Sequence, residues 1–193
     1  MKTKSRILMI AAAGALMLMF AFPLWRITLE APQYPKGISM FIWVNKITGS
    51  EPGTLQNINI LNHYIGMKPI EPDSIPELQF MQYIILALAV VAILLAFLNK
   101  WQVNLVWVVI MIAAGALAIY DFYLWEYDYG HNLDPNAAIK IEGMAYQPPL
   151  IGKKDILNFV AHSWPKLGSV FMALSMVFGG FAVYFGRKNK KLS

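Results

Sequence analysis

Residues 7–25, 79–98, 103–125 and 167–186 are apolar almost without interruption. Each run is about 20 residues long, which at 1.5 Å rise covers a hydrocarbon core of roughly 30 Å. The pattern predicts four transmembrane helices. Lys2, Lys4 and Arg6 precede the first run as they would a signal peptide. No small-x-small cleavage site follows, however. Phe22-Pro23-Leu24-Trp25-Arg26 stands there instead, and Trp25 reads as an interface anchor, so this helix is expected to be retained.

Polar residues at the run ends sharpen the boundaries. Ser74-Ile75-Pro76-Glu77 has capping-box spacing, with proline in the first turn of the second helix. Ser163-Trp164-Pro165 opens the last helix in a similar way. Asn99-Lys100-Trp101-Gln102 leaves room only for a tight turn, so the second and third helices are expected to be antiparallel neighbours.

The segments between the runs, 26–78 and 126–165, have a different texture. Residues 38–47 (ISMFIWVNKI) are β-branched and aromatic and predict a strand, and 54–64 predict a short helix closed by Gly66. Residues 155–162 place Ile156, Leu157, Phe159 and Val160 so as to suggest a short helix at the membrane surface. Both segments hold too many aromatic and aliphatic residues for flexible linkers. They are expected to pack together as a small cap. The predicted fold is therefore a single-domain, all-α membrane protein, a four-transmembrane-helix bundle carrying a small mixed cap made by two extracytoplasmic loops.

Composition agrees with lipid burial. Of the 193 residues, 58% are hydrophobic and only 14% charged, against roughly a quarter charged in soluble domains. The mean hydropathy is +0.49. The placement of charge supplies orientation. Lys2, Lys4, Arg6, Lys100, Arg187, Lys188, Lys190 and Lys191 share one side with no acid among them, while all eleven acids fall on the other. The positive-inside rule puts the basic side, with both termini, in the cytoplasm and the loops in the periplasm of a bacterial inner membrane. The pI near 9.3 then records topology and anionic-lipid contact rather than nucleic-acid binding. No ionisable residue lies mid-membrane, which argues against a transporter or channel.

No Walker loop, dinucleotide glycine pattern, HExxH or nucleophile elbow occurs, and cysteine is absent. A non-enzyme is expected. Two constellations carry candidate chemistry. His63 and Met67 lie four apart, and imidazole with thioether suits copper(I); His131 and Met144 would complete such a site if the loops meet. Ordinary loop packing explains the same residues. The second is the stretch 121–131, where Asp121, Glu126, Asp128 and His131 alternate with aromatics. It reads as an aromatic interface belt, as a docking surface, as a metal site, or as a quinol-head site using Asp121, Glu126 and His131. The docking reading takes in Trp43, Tyr64, Trp125, Glu126, Asp128, Tyr129, Asp134 and Tyr146.

The stretches LNHYIGMKPI (61–70), PDSIPEL (72–78), YDFYLWEYDYGHNLDPNAAIK (120–140) and YQPPLIGKK (146–154) resemble the small polytopic membrane proteins encoded beside clade-II nitrous-oxide reductase and its copper chaperone. The resemblance extends over most of the chain and is sharpest in the loops. It implies an outward-facing partner, periplasmic nitrous-oxide reductase or its copper-maturation proteins, and copper as the associated cofactor. The expected role is an accessory subunit that docks or anchors the reductase and supports its assembly or activity. Copper(I) handling and quinol-linked electron transfer stand as alternatives.

Overall fold

The computed structural model describes residues 2–98, 100–139, 141 and 143–190. Asn99, Lys140, Glu142 and Lys191, which enter the sequence reading, lie outside the described residues. The chain forms helix α1 (Lys2–Leu18), strands β1 (Trp25–Ala31), β2 (Tyr34–Ile42) and β3 (Ile47–Gly49), and helix α2 (Thr54–Tyr64). A 3-10 turn at Pro72–Ser74 leads into α3 (Pro76–Leu98) and α4 (Trp101–His131). Strands β4 (Gly152–Ile156) and β5 (Phe159–Pro165) precede α5 (Leu167–Lys190).

The all-α expectation is wrong. The five strands make one antiparallel sheet in the order β3-β2-β1-β5-β4. Three helices, α3, α4 and α5, are long and apolar enough to cross a membrane. The expected first span, 7–25, is helical only to Leu18 and enters β1 at Trp25. Pro23 explains the break: it has no N–H to give a helix, and it holds Phe22 out of the helical region. The run stays apolar throughout because a helix packed in a bundle and a strand packed in a sheet both bury their side chains.

The expected surface helix at 155–162 is likewise a hairpin. Ile156 pairs with Phe159 across Leu157 and Asn158. Leu157 takes φ 57°, the left-handed turn geometry that tight hairpins use. The strand expected at 38–47 begins earlier, at Tyr34, and is cut by a turn in which Trp43 N donates to Lys46 O at 2.8 Å.

Helix α1 is buried against α5 and α3, and α4 lies against α5. Small and polar residues permit the close approach. Ser5 Oγ donates to Ala182 O at 2.8 Å, and Ser175 Oγ to Ala12 O at 2.9 Å, so α1 and α5 are laced antiparallel. Gly179 lets α5 touch α4: a Cβ there would sit 2.8 Å from the Trp107 ring. Trp107 in turn donates to Leu88 O on α3 at 3.1 Å. At one end of the bundle, Arg6 lies over the Phe97 ring (4.2 Å), Lys4 over Phe185 (5.7 Å) and Arg187 over Trp101 (5.8 Å).

At the opposite end helices become strands. β1 pairs with β5, so residues far apart in sequence are joined where α1 and α5 stop being helical. Trp25 Nε1 donates to Ser163 Oγ at 2.7 Å, Gly168 N to Pro23 O at 2.9 Å, and Ser169 Oγ to Leu24 O at 2.7 Å. The sheet is thereby fastened to the bundle where β1 and β5 meet the helices.

Candidate functional site

Helix α4 sets the geometry. Its 31 residues span about 46 Å at 1.5 Å per residue, some 16 Å more than a hydrocarbon core. The last turns rise past the bundle into the cap. There Phe122, Trp125, Glu126, Tyr129 and Gly130 fall on one helical stripe. The rings stack inward: Trp25 to Phe122 at 5.4 Å, Phe122 to Trp125 at 6.2 Å, Trp125 to Tyr129 at 4.4 Å. Tyr129 Oη donates to Pro69 O at 3.1 Å. Gly130 is required by closeness: a Cβ there would lie 2.4 Å from the Gln147 backbone, and Tyr146 N donates to Gly130 O at 2.9 Å.

Glu126 is the outlier on this apolar stripe. It is 0% exposed, and neither carboxyl oxygen has a hydrogen-bond partner. It lines a chamber of about 60 Å³, apolar and partly open, between β1, β2, α2, α4 and the β4–β5 hairpin. Met40, Asn62, Met67 and Tyr146 line the same chamber. The Tyr146 hydroxyl is also buried and without a partner. Burying a polar group unpaired is unfavourable by about 2–7 kcal/mol, and more for an ion. Both groups lie buried beside this apolar pocket without a hydrogen-bond partner among the described residues.

The sequence-predicted residues separate accordingly. Of the docking set, Glu126, Tyr129 and Tyr146 are buried, and Trp125 is half-buried in the aromatic stack. These four belong to the cap interior rather than its surface, because the inward stripe of α4 and the Gly130–Tyr146 contact draw them there. Trp43 is half-buried, with its indole N–H on Thr48 Oγ1 at 2.9 Å and the Lys46 ammonium 4.9 Å from its ring. Asp128 pairs with Lys68 at 2.7 Å and accepts from Asn132. Tyr64 and Asp134 are exposed.

Of the copper set, Met67 and Met144 pack on one cluster with Ile65, Tyr146, Ile156 and Ala161. His63 is exposed beside Tyr64, with ring centroids 6.3 Å apart, and His131 is exposed and stacked on Tyr127 at 3.9 Å. No group of three or more His, Cys, Asp or Glu suited to a metal occurs among the described residues. The quinol set is dispersed: Glu126 is inside the chamber, His131 is on the outside of α4, and Asp121 lines a separate crevice of about 180 Å³ with Glu77, Trp25 and Trp43.

The sequence reading missed the pocket beside Glu126 and one surface feature. Ile60 and Tyr64, one turn apart on α2, are 54% and 51% exposed; Ile139 and Ile141 are 45% and 47% exposed. Ile139 N donates to Tyr64 O at 2.9 Å, which brings the two loops together at this patch. The one available signal for the chamber was an acid in the middle of an i, i+3, i+4 apolar stripe. A scan against protein-family models gave no match, and a search among curated proteins gave none.

Proposed function

We propose that this protein is a non-catalytic accessory subunit of the bacterial inner membrane whose periplasmic cap docks a soluble partner. The partner suggested by the sequence resemblance is nitrous-oxide reductase or one of its copper-maturation proteins. The exposed apolar patch of Ile60, Tyr64, Ile139 and Ile141 carries the reading. Exposed aliphatic and aromatic side chains on spanning helices face lipid, but these four stand on the cap, where contiguous apolar surface marks contact with another macromolecule. Asp134, exposed close by through the Asp134 N to Gly66 O bond of 2.8 Å, supplies a polar rim. The clustering of Lys4, Arg6 and Arg187 at the end of the bundle away from the sheet supports the orientation.

The test is affinity purification of the tagged full chain from membranes of a producing bacterium in mild detergent. The expected result is co-purification of a periplasmic copper-enzyme component, lost in an Ile60→Ser, Tyr64→Ser variant. Recovery of no such component, or equal recovery by the variant, overturns the reading.

A further inference from the structure

We propose that the crevice between α3 and α4 beneath the sheet holds one membrane lipid with an ammonium headgroup, its chain between the helices and its headgroup on Glu77 and Asp121. The inference rests on α3 and α4 crossing the bilayer, and not on the docking partner. It begins with the way the two helices part. The turn that joins them is short, yet α3 packs on α1 and α4 on α5, and the two touch each other only sparsely. Trp107 bridges them midway through its bond to Leu88 O. Beyond that bridge, toward the sheet, they leave a crevice of about 180 Å³. Met81 of α3, Gly115 and Ala118 of α4 and Met172 of α5 line it, and the β2–β3 turn adds Trp43 and Val44. Gly115 and Ala118 leave room because they carry little or no side chain.

Depth along the helices separates this lining into two chemistries. Asp121 lies about 20 residues beyond Trp101, or about 30 Å, which is the thickness of a hydrocarbon core. Glu77 stands in the first turn of α3. Trp25, stacked on Phe122 at 5.4 Å, marks the same level with a side chain that favours the interface. Both acids therefore sit where lipid headgroups lie in the sheet-side leaflet. Gly115 is about 9 Å deeper than Asp121, and Met81 is one turn deeper than Glu77. The apolar part of the crevice thus lies at the depth of an acyl chain.

Charge distinguishes the place from a bare apolar gap. Glu77 and Asp121 both line the crevice, close enough for their charges to interact. Asp121 is exposed and Glu77 half-buried, so neither is sealed from a ligand. Neither forms an ion pair among the described residues, and no described lysine, arginine or histidine lines the crevice. Lys46, beside it in sequence, is held over the Trp43 ring at 4.9 Å. A lipid ammonium answers both acids with charge-assisted hydrogen bonds, and the indoles of Trp25 and Trp43 in the same lining attract cations. An anionic headgroup would be repelled. A small soluble cation would satisfy the acids and leave the apolar crevice unfilled. A lipid meets both needs in one molecule.

The experiment uses the full chain in mild detergent, followed by native mass spectrometry as phosphatidylethanolamine or phosphatidylglycerol is added. The expected result is one phosphatidylethanolamine retained per chain, about tenfold more tightly than phosphatidylglycerol, the factor that two interface ion pairs supply. The double variant Glu77→Gln, Asp121→Asn should bring the two lipids level. Ala118→Phe, which fills the crevice and keeps both acids, should weaken retention of phosphatidylethanolamine. In the unmutated protein, phosphatidylethanolamine with a photoreactive diazirine on its acyl chain should label the chain around Met81 or Ala118. Equal retention of phosphatidylglycerol by the unmutated protein overturns the proposal without reliance on any variant's folding. So does labelling confined to other helices, or a quinone co-purifying in place of the lipid. Release of the chain from membranes by alkaline carbonate without detergent would remove the spanning reading itself, and the proposal with it.

Discussion

The bundle and the cap differ in where their largest buried polar side chains go, although single atoms such as Asn104 Oδ1 stay unpaired in the bundle as well. In the bundle, Ser5 and Ser175 each reach a carbonyl of the neighbouring helix, and Trp107 reaches one across α3 and α4. Polar atoms there fasten helices that lipid gives little reason to associate. In the cap, the same aromatic-rich stripe of α4 ends on a carboxyl group that fastens nothing. The sheet and α2 bury it, and Tyr146, which lines the same pocket, keeps its hydroxyl buried without a partner among the described residues. A polar side chain that joins elements is explained by the fold. One that is buried without a partner is left to take up a proton and stay neutral.

That contrast can be broken most severely at Gly130. Gly130→Val drives a side chain into the Gln147 backbone and should loosen the cap by about 3 kcal/mol, the upper range for overpacking. Hydrogen exchange should show β1, β2 and β5 losing protection while α3 and α5 keep theirs; equal loss in both regions would mean cap and bundle are not separable. Next is the seam. Ser163→Ala removes the acceptor of the buried Trp25 indole and the donor to Leu150 O, and should destabilise by about 1–3 kcal/mol, read as a lower thermal midpoint with quenching changed at Trp25.

The chamber predicts the reverse sign. Glu126→Leu removes an unpartnered polar group at similar volume and should leave stability unchanged or raise it by about 1–2 kcal/mol. A fall of that size would show that Glu126 has a structural partner after all. The smallest effect belongs to the bundle: Ser175→Ala should lower stability by about 0.6 kcal/mol, typical of interhelical hydrogen bonds in lipid, measured by unfolding in mixed micelles.

Much of the helical part was legible in the sequence. The runs behind α3, α4 and α5 are long, apolar and bounded by turn chemistry, and α2 occupies the residues its pattern marks out. The sheet was not legible. Its central pairing joins residues 25–31 to 159–165, and register between segments so far apart is set by mutual burial, not by either segment's own pattern. The candidate site was legible only as a list of residue types in 121–131. Which acids face inward depends on how far α4 runs past the helix bundle, and that is decided by the cap that receives it.

Taken alone, the sequence determined the apolar lengths, the one-sided distribution of charge and the absence of thiol chemistry, because these are properties of composition along a line. It could not tell helix from strand in the apolar run ending at Trp25, since either form buries the same side chains once something covers it. Tertiary structure settled that choice by supplying β5 as a partner for β1. It also brought Met40, Met67, Glu126 and Tyr146 from separate segments around one apolar pocket. A pocket is a property of several surfaces at once, and no single stretch of chain encodes it.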